Sequence, residues 1–588
     1  MCGIVGIVDK SDKNIKQNIN NMLEAIYKRG PDGEGRYSED GIELGMRRLS
    51  IIDIEGGQQP FYSNGNSVVA FQNGEIYNHI ELKQELEALN YSFISHSDTE
   101  VIAHGYAAWG MRTLLQKLEG MYAIALLDKE LNQLFLARDR FGEKPLYYSM
   151  NKETQQFSYS SDLRTIANLD WVDNSLSRTA LSRYLMLGFT TGNISIVDSI
   201  KKVLPAHFMS IDIDSFETKS FCYYLPNISN RNIDNDTKET LHNKLNTSID
   251  LRLRSDVPVG VFLSGGIDSS LIAAMSSKKQ DKIDTFSIGF HSDKFDESKY
   301  AKEVAKHIGS THHHYMFDEN SFVDLLPVVV AELDEPLADQ AALPTYWLSK
   351  EAKKHVTVVL SGEGADEIFG GYNYYKQFEK ENKLSTLINN NNSITPSGFP
   401  LLMSIDSCKT FMNIDFQEET AYEKQLFDWL NVGQDGIKKA MATDLTTWLP
   451  DDLLVKLDRM AMANSLEGRT PYLSHHLVDF SYSLEQANWI NKSEYKVLLR
   501  EVAKDYLPTS IFNRPKQGFV LPMDEWIVKW FQKENVKDFF TTREIKELDT
   551  NEIISWVENE LQSSAFNQRL IFALIMLYEW YKINMKEK

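Results

Sequence analysis

Cysteine is nearly absent: three in 588 residues, at positions 2, 222 and 408. None stands in a CxxC spacing, so no disulfide framework is expected, and the chain reads as suited to a reducing, cytoplasmic setting. Long apolar runs are missing too. The longest, Leu570 to Tyr578, falls far short of the roughly 18 to 20 residues that span a bilayer, so no membrane partner is expected and the run reads as a core helix. Basic clusters are lacking: 62 Lys and Arg against 83 Asp and Glu leave a net charge of −21. That balance argues against nucleic acid as a partner while leaving room for a local positive pocket that holds a nucleotide. The first residues lack the basic and apolar regions of a secretory signal. Solenoid repeats, an EF-hand loop and a Walker phosphate loop are absent as well. What remains is ordinary globular composition, 42% hydrophobic and 25% charged, over a length that calls for two or three domains.

Cysteine does occupy one telling place, in Met1-Cys2-Gly3-Ile4-Val5-Gly6-Ile7. Removal of Met1 would put a thiol and a free α-amino group on one residue. The amine, with a reference pKa near ~8, can act as general base for its own residue's nucleophile, directly or through water. The competing structural reading is a small apolar residue opening a buried strand.

Strand-like stretches follow at Ile4–Val8, Val68–Gln72, Tyr122–Leu127 and Gln133–Arg138, with helix signals at Ile19–Tyr27 and Ile80–Leu89. The pattern suits stacked sheets flanked by helices. Between about Pro205 and Asn235 the texture turns to Pro, Asn, Ser and Asp, clearest at Leu225 to Asn232, and the domain boundary is placed there. Beyond it strands and helices alternate. Helical faces read at Leu241, Leu245 and Ile249, at Ser270–Met275, and at Tyr300, Val304 and Ile308; strands read at Pro258–Leu263, Thr285–Phe290 and Val356–Leu360. Such alternation predicts a parallel sheet covered by helices. The tract Asn389–Asn392 reads as an exposed loop.

Ser264-Gly265-Gly266-Ile267-Asp268-Ser269-Ser270 follows a predicted strand and opens a predicted helix. Paired glycines let backbone amides approach an anion, the helix N-terminus favours negative charge, and Ser264, Ser269 and Ser270 offer hydroxyls. Asp268 inside such an anion cradle makes sense as a ligand for Mg²⁺. The bland alternative is an ordinary strand-to-helix turn. His312-His313-His314 looks metal-like, but successive strand residues face opposite sides and lack ligand partners, so a structural role is expected.

Further segments complete an ordered set: Arg29-Gly30-Pro31-Asp32, Arg48-Leu49-Ser50-Ile51-Ile52-Asp53, Asn73-Gly74-Glu75-Ile76-Tyr77-Asn78 and Ser97-Asp98-Thr99-Glu100-Val101 in the first half. Arg138-Asp139-Arg140-Phe141-Gly142, Ser361-Gly362-Glu363-Gly364-Ala365-Asp366-Glu367, Leu449 to Lys456 and Lys496-Val497-Leu498-Leu499-Arg500 follow. On these motifs the chain, from residue 2 to about 526, resembles the glutamine-hydrolysing asparagine synthetase family. The resemblance implies an α+β N-terminal nucleophile hydrolase sandwich with αββα layers over residues 2–205, a linker at 206–235, and an α/β PP-loop ATP pyrophosphatase domain with helical C-terminal additions over 236–588.

The resemblance also implies roles. Cys2 attacks the side-chain amide of glutamine to give a glutamyl thioester; the Asn73 side chain and Gly74 amide hold the oxyanion. Arg48 grips the substrate carboxylate within the segment Leu49, Ser50, Ile51 and Ile52, while Glu75 and Asp98 receive its ammonium. ATP lies across Leu263, Ser264, Gly265, Gly266, Asp268, Ser269, Ser270, Ile288, Ser361 and Gly362, with Mg²⁺ on Asp268 and Asp366. A carboxylate acceptor, aspartate by default, becomes an acyl-adenylate that ammonia aminates, with Glu363 assisting and Lys496 neutralising phosphate charge. Ammonia must cross between the sites protected from water, and the family points to a homodimer.

Departures touch the acceptor. The chain reads Arg469-Thr470-Pro471-Tyr472-Leu473-Ser474 where relatives often read RVPFLD, Gln340 where a Ser is frequent, and Lys28 where a His often precedes RGPD. Sugar acids, cell-wall diamino acids and peptide carboxylates are therefore alternative acceptors. A glutaminase or nitrogen-sensing protein with an inactive synthetase half is the competing reading of another class.

Overall fold

The structure, a computed structural model, describes residues 2–10, 14–226, 236–291, 296–378, 400–412, 436–491, 493–514, 521–563 and 565–585. The N-terminal strands in chain order are β1 (Cys2–Asp9), β2 (Gly33–Glu39), β3 (Ile42–Arg48), β4 (Phe61–Tyr62), β5 (Val68–Ile76), β6 (Gly120–Asp128), β7 (Gln133–Arg138), β8 (Tyr147–Asn151), β9 (Gln156–Ser160), β10 (Ile200–Lys202), β11 (His207–Asp212) and β12 (Thr218–Cys222). They form two six-stranded antiparallel sheets, ordered β10-β8-β9-β1-β3-β2 and β12-β11-β7-β6-β5-β4.

The sheets stack face to face, which explains why β1 is apolar on both sides. Ile4 and Val8 join Leu44, Met46, Val69, Phe71 and Leu136 between the sheets. Val5 and Ile7 point the other way, onto Ile19, Met22 and Leu23 of the helix Ile15–Ala25. On the far face of the second sheet, Val68, Ala70 and Ile124 meet Leu82, Leu86, Ile102 and Leu114 from the helices His79–Ala88 and Glu100–Lys117. The layers are thus helix, sheet, sheet, helix, as the sequence led us to expect.

The boundary reading needs a correction. Residues 207–222, assigned to a linker, hold β11, β12 and the turn between them: β11 pairs antiparallel with β7 through Phe208–Ala137 and its neighbours, and β12 closes the hairpin. The short polar strand Thr218–Cys222 at the sheet edge carries little of the burial pattern by which a strand is recognised. The remaining linker residues from 227 to 235, and the Asn389–Asn392 tract, lie outside the described residues.

The C-terminal half is built on β13 (Val259–Phe262), β14 (Asp284–Gly289), β15 (Thr311–Met316), β16 (Val358–Leu360) and β17 (Glu467–Arg469), all parallel in the order β15-β14-β13-β16-β17. The chain winds outward from β13 in one direction and then in the other. Between β13 and β16 the order reverses, and ligands of such sheets bind at that crevice, beyond the carboxyl ends of the strands. Helices Ile267–Ser277, Ser298–Ile308 and Ala342–Ala352 connect the strands. Leu570 to Trp580 lie buried within the helix Gln568–Asn584, matching the core helix read from the sequence. Among the described residues no helix is long and apolar enough to cross a membrane.

The halves share a core. Leu49, Ile51, Tyr77, Met121 and Phe141 of the N-terminal half pack in one cluster with Leu360, Tyr472, Leu473 and other residues of the parallel-sheet half.

Candidate functional site

Two sets of side chains converge, one at the end of β1 and one at the carboxyl ends of β13 and β16. In the first, Cys2 is buried, and the β1–β3 register sets it opposite Arg48. Its backbone nitrogen donates to Asn73 Oδ1 at 3.2 Å. Burial pushes the Cys2 thiol up to about 11, against the pull of the amino terminus, a bond from the Leu49 amide and Arg48. A thiol raised in this way becomes a nucleophile only where an adjacent base can take its proton. Asn73 Oδ1 accepts from the very nitrogen that removal of Met1 would turn into a free α-amine. Asn73 Nδ2 donates to Ser161 Oγ at 3.3 Å, so in this arrangement the amide is tied down rather than open to an oxyanion. Gly74 sits at φ +142°, and a Cβ there would lie 2.0 Å from the Met121 carbonyl oxygen, so no other residue fits between β5 and β6.

The residues expected to grip the substrate are gathered but differently engaged. Arg48 donates to the carbonyls of Ile52 (3.1 Å), Asp53 (2.6 Å) and Ile54 (3.0 Å), so here its fork organises the following loop. Leu49 and Ile51 bury their side chains in the shared core, leaving only backbone to face a ligand. The Ser50 amide is held by Asp32 Oδ2 at 2.9 Å, and Ile52 is half-buried. Asp98 Oδ2 accepts from the Ile76 amide (2.8 Å) and Gln72 Nε2 (3.1 Å). Glu75 Oε2 is buried without a hydrogen-bond partner, 3.9 Å from Arg469 NH2. Burial first, then Glu467 and Asp98, push the Glu75 carboxyl up.

At the second set, Ser264, Gly265 and Gly266 turn sharply from β13 into the helix Ile267–Ser277. Gly265 has φ +77°, and a Cβ there would lie 2.7 Å from the Ala301 amide nitrogen. Ser264 Oγ and Ser269 Oγ are 2.9 Å apart, and the Gly266 amide donates to Ser264 Oγ at 3.2 Å. Ser270 departs from expectation: it is fully buried and its Oγ has no partner, because the helix turns it into the core rather than toward the loop. Leu263 is buried and Ile288 half-buried at the neighbouring strand ends. The Ser361 amide donates to the Arg469 carbonyl at 2.8 Å, and a Cβ on Gly362 would lie 3.1 Å from the Ser269 amide nitrogen, so the two glycine loops abut.

Lys496 closes the site. Its Nζ lies 2.7 Å from Asp268 Oδ2 and 2.8 Å from Asp366 Oδ1. The backbone there has φ +54°, uncommon for a lysine and sustained only where surroundings fix it. Asp268 Oδ1 stays buried without a partner. Glu363, a quarter exposed, lies 3.5 Å from Lys456 Nζ, which also meets Asp339 Oδ2 at 2.9 Å.

Lys456 belongs to the helix Leu454–Met462, which reaches both sets. Two and three residues on, Asp458 takes a bidentate grip from Arg29 NH1 (2.8 Å) and NH2 (3.2 Å), and Arg459 donates to the Ser161 carbonyl at 2.9 Å and to Asp334. Arg29 Nε in turn donates to the Cys2 carbonyl at 3.1 Å.

Sequence reasoning assigned no role to Lys456, Asp339, Asp452 or Arg514. Arg514 NH2 would lie 3.7 Å from a Cβ on Gly266, making it a cation beside the Ser264–Gly266 loop. For Lys456 and Asp452 the charges within Leu449 to Arg459 were the available signal, since charged residues inside an apolar helix pattern are retained only when paired; Asp339 and Arg514 carried no such signal. The histidine run behaves as strand geometry requires: His312 and His314 share a face around Ser287, while His313 meets Asp284 at 2.7 Å on the other. Among the described residues, Glu119, His475 and His476 bring possible metal donors within 4.8 Å of one another.

A family model described as asparagine synthase matches residues 240–582, and one described as a glutamine amidotransferase domain matches residues 1–222. The second limit coincides with the end of β12. The chain is 33% identical to asparagine synthetase [glutamine-hydrolyzing] 1 of Bacillus subtilis (strain 168), over 100% of this chain and 98% of the relative. It is 30% identical to asparagine synthetase [glutamine-hydrolyzing] 3 of the same organism, over the full length of both.

Proposed function

Because the chain belongs to the glutamine-hydrolysing asparagine synthetase family, we propose that it is an ATP-dependent amidotransferase that takes nitrogen from glutamine and delivers it to aspartate. The observation that carries this reading is the helix Leu454–Met462, which ties the Cys2 pocket and the Glu363 cleft into one unit. In the first pocket the Cys2 α-amine, freed of Met1 and held by Asn73 Oδ1, removes the thiol proton as sulfur attacks the glutamine amide. Ammonia leaves as the thioester forms, and water later releases glutamate. Asp98 and Glu75 hold the substrate ammonium. The Asn73 side chain turns from Ser161 toward the oxyanion when substrate arrives, beside the Gly74 amide.

In the second pocket the Ser264–Gly266 and Ser361–Gly362 loops bind ATP at the switch point of the sheet. The donors there fit a divalent cation: hard carboxylate oxygens, one of them, Asp268 Oδ1, buried and unpaired. Mg²⁺ held by Asp268 and Asp366 would offset charge on the leaving pyrophosphate. Lys496 stabilises the same charge from the protein side. An acceptor oxygen attacks the α-phosphorus, pyrophosphate departs, and ammonia displaces AMP from the acyl-adenylate. The apolar seam of Leu49, Ile51, Met121 and Phe141 supports a protected crossing for uncharged ammonia. Two copies of the chain forming a homodimer complete the proposal.

The test supplies glutamine, ATP and Mg²⁺ with a panel of carboxylic acids and measures pyrophosphate and amide. Release stimulated by aspartate alone supports the reading. Stimulation by a different acid renames the acceptor, and release with none defeats the synthetase assignment.

A further inference from the structure

The two halves also meet at a third cluster, whose members belong to neither pocket. Glu119 stands between the helix Glu100–Lys117 and β6, in the N-terminal half. His475 and His476 open the helix His475–Tyr482 of the C-terminal half. His476 Nε2 lies 3.8 Å from Glu119 Oε2, and the two imidazole rings are 3.9 Å apart at their centroids. One donor atom from each of the three residues lies within 4.8 Å of the others. A plain imidazole–carboxylate hydrogen bond does not account for this, because 3.8 Å is too long for one.

The carboxylate is braced as a metal ligand is, by hydrogen bonds from behind. Glu119 is buried; its amide donates to Asn78 Oδ1 at 2.8 Å and its carbonyl accepts from the Tyr77 amide at 2.7 Å. Ser474 Oγ donates to Glu119 Oε1 at 3.0 Å, which leaves Oε2 to face His476. His475 is half-buried, with the Tyr224 ring edge-on at 6.2 Å. Burial first, then Arg140, His476, Arg252 and Lys244, push its ring down to about 2, which favours the uncharged imidazole that binds metal. The cations nearby are engaged elsewhere. Arg140 donates to the carbonyls of Leu115, Gln116 and Leu118, Arg252 to Ser248 and the Leu473 carbonyl, and Arg254 to Glu81. Lys244 Nζ lies over the Phe480 ring at 6.0 Å.

We propose that Glu119, His475 and His476 form a site for Zn²⁺ that clips the two halves of the chain together. Two imidazoles and one carboxylate are zinc donors, whereas Mg²⁺ and Ca²⁺ take oxygen alone. Bonds of about 2.0–2.2 Å place tetrahedral donors about 3.4 Å apart, so the set closes by an ångström or so. The His476 side chain, 59% exposed, supplies that movement by rotation. Its exposed side leaves the fourth position to water.

The experiment uses the full-length protein, stripped with a chelator and returned to buffer with excess Mg²⁺, which fills sites made of oxygen alone. Zn²⁺ is titrated by calorimetry, and Co²⁺ in its place is followed by visible absorption, where tetrahedral ligation gives intense bands. The chain takes up one Zn²⁺ and shows those bands. Losing an outer partner of a ligand already costs ~10–100-fold in affinity, so His476→Ala weakens binding at least about 10-fold and erases the bands. Glutamine hydrolysis by His476→Ala without Zn²⁺ stays as it was, and His312→Ala, in the other histidine cluster, leaves metal binding unchanged. No uptake of Zn²⁺ over excess Mg²⁺, uptake indifferent to His476→Ala, or uptake lost in His312→Ala instead overturns the inference. Should His476→Ala fail to fold, the Co²⁺ spectrum of the unaltered chain decides: weak octahedral bands refute the site.

Discussion

Replacing Asp458 with alanine tests whether the two halves are locked by buried charge. Asp458 is almost fully buried and receives Arg29 through both terminal nitrogens at 2.8 and 3.2 Å, with Lys144 Nζ at 3.4 Å. Arg29 and Lys144 are buried as well, so the alanine variant leaves two cations facing an empty, water-poor space. Breaking one partner out of a buried pair costs about 3–5 kcal/mol. Asp458→Asn keeps shape and one acceptor oxygen, so it falls at roughly half that loss. Because Arg29 Nε also holds the Cys2 carbonyl, misplacement reaches the nucleophile: glutamine-dependent synthesis drops by at least about 10-fold, while synthesis from added ammonium stays within about 2-fold. The assay pairs urea unfolding, followed by tryptophan fluorescence, with the two activities. Its pH dependence is also fixed. Burial raises the Asp458 carboxyl, but Arg29 and Lys144 outweigh it and hold the group below the usual carboxylate range. A depressed carboxyl contributes fully above its unfolded value near ~4 and loses that contribution only as pH falls through the lower folded value. The difference between the parent and Asp458→Ala is therefore flat between about pH 5 and 8. A loss under about 1 kcal/mol, the range of exposed pairs, with unchanged glutamine use, would refute the argument.

Cys2→Ala abolishes glutamine-dependent amide formation and preserves the ammonium-dependent reaction; loss of both would contradict separable pockets. Glutamine hydrolysis rises with pH around the amine's ~8 and not around the thiol's about 11, a profile read from initial rates of glutamate release. Gly74→Ala eliminates glutamine use, since its Cβ overlaps the Met121 carbonyl at 2.0 Å, and near-normal turnover would show that β5 and β6 can part. Lys496→Met lowers pyrophosphate release on the order of 100-fold while sparing glutamine hydrolysis, because it removes the cation between Asp268 and Asp366.

Local chemistry was legible and long-range pairing was not. The glycine-serine loop and the apolar strands announce themselves through spacing, so β1, β5, β6, β7, β13 and β14 stand where the sequence put them. The hairpin of β11 and β12 escaped, because its place depends on Phe208 meeting Ala137, some seventy positions away, and its outer strand is polar. Arg48 was assigned to substrate through the resemblance; its bonds to three carbonyls depend on how the loop after β3 curls. Ser270 was grouped with Ser264 and Ser269 by adjacency, yet one residue along a helix rotates a side chain by roughly 100° and turned it inward.

The helix Leu454–Met462 has a consequence for anyone recombining such enzymes. A nine-residue rod whose successive side chains touch separate reaction chambers cannot be inherited with either chamber alone. A chimera that exchanges the glutamine amidotransferase module must carry a matching counterpart to Arg29, Lys144 and Ser161, or the transplanted Cys2 arrives without its brace. Editing around Lys456 is likewise felt a turn away, where Asp458 and Arg459 face Arg29 and Ser161 of the N-terminal half.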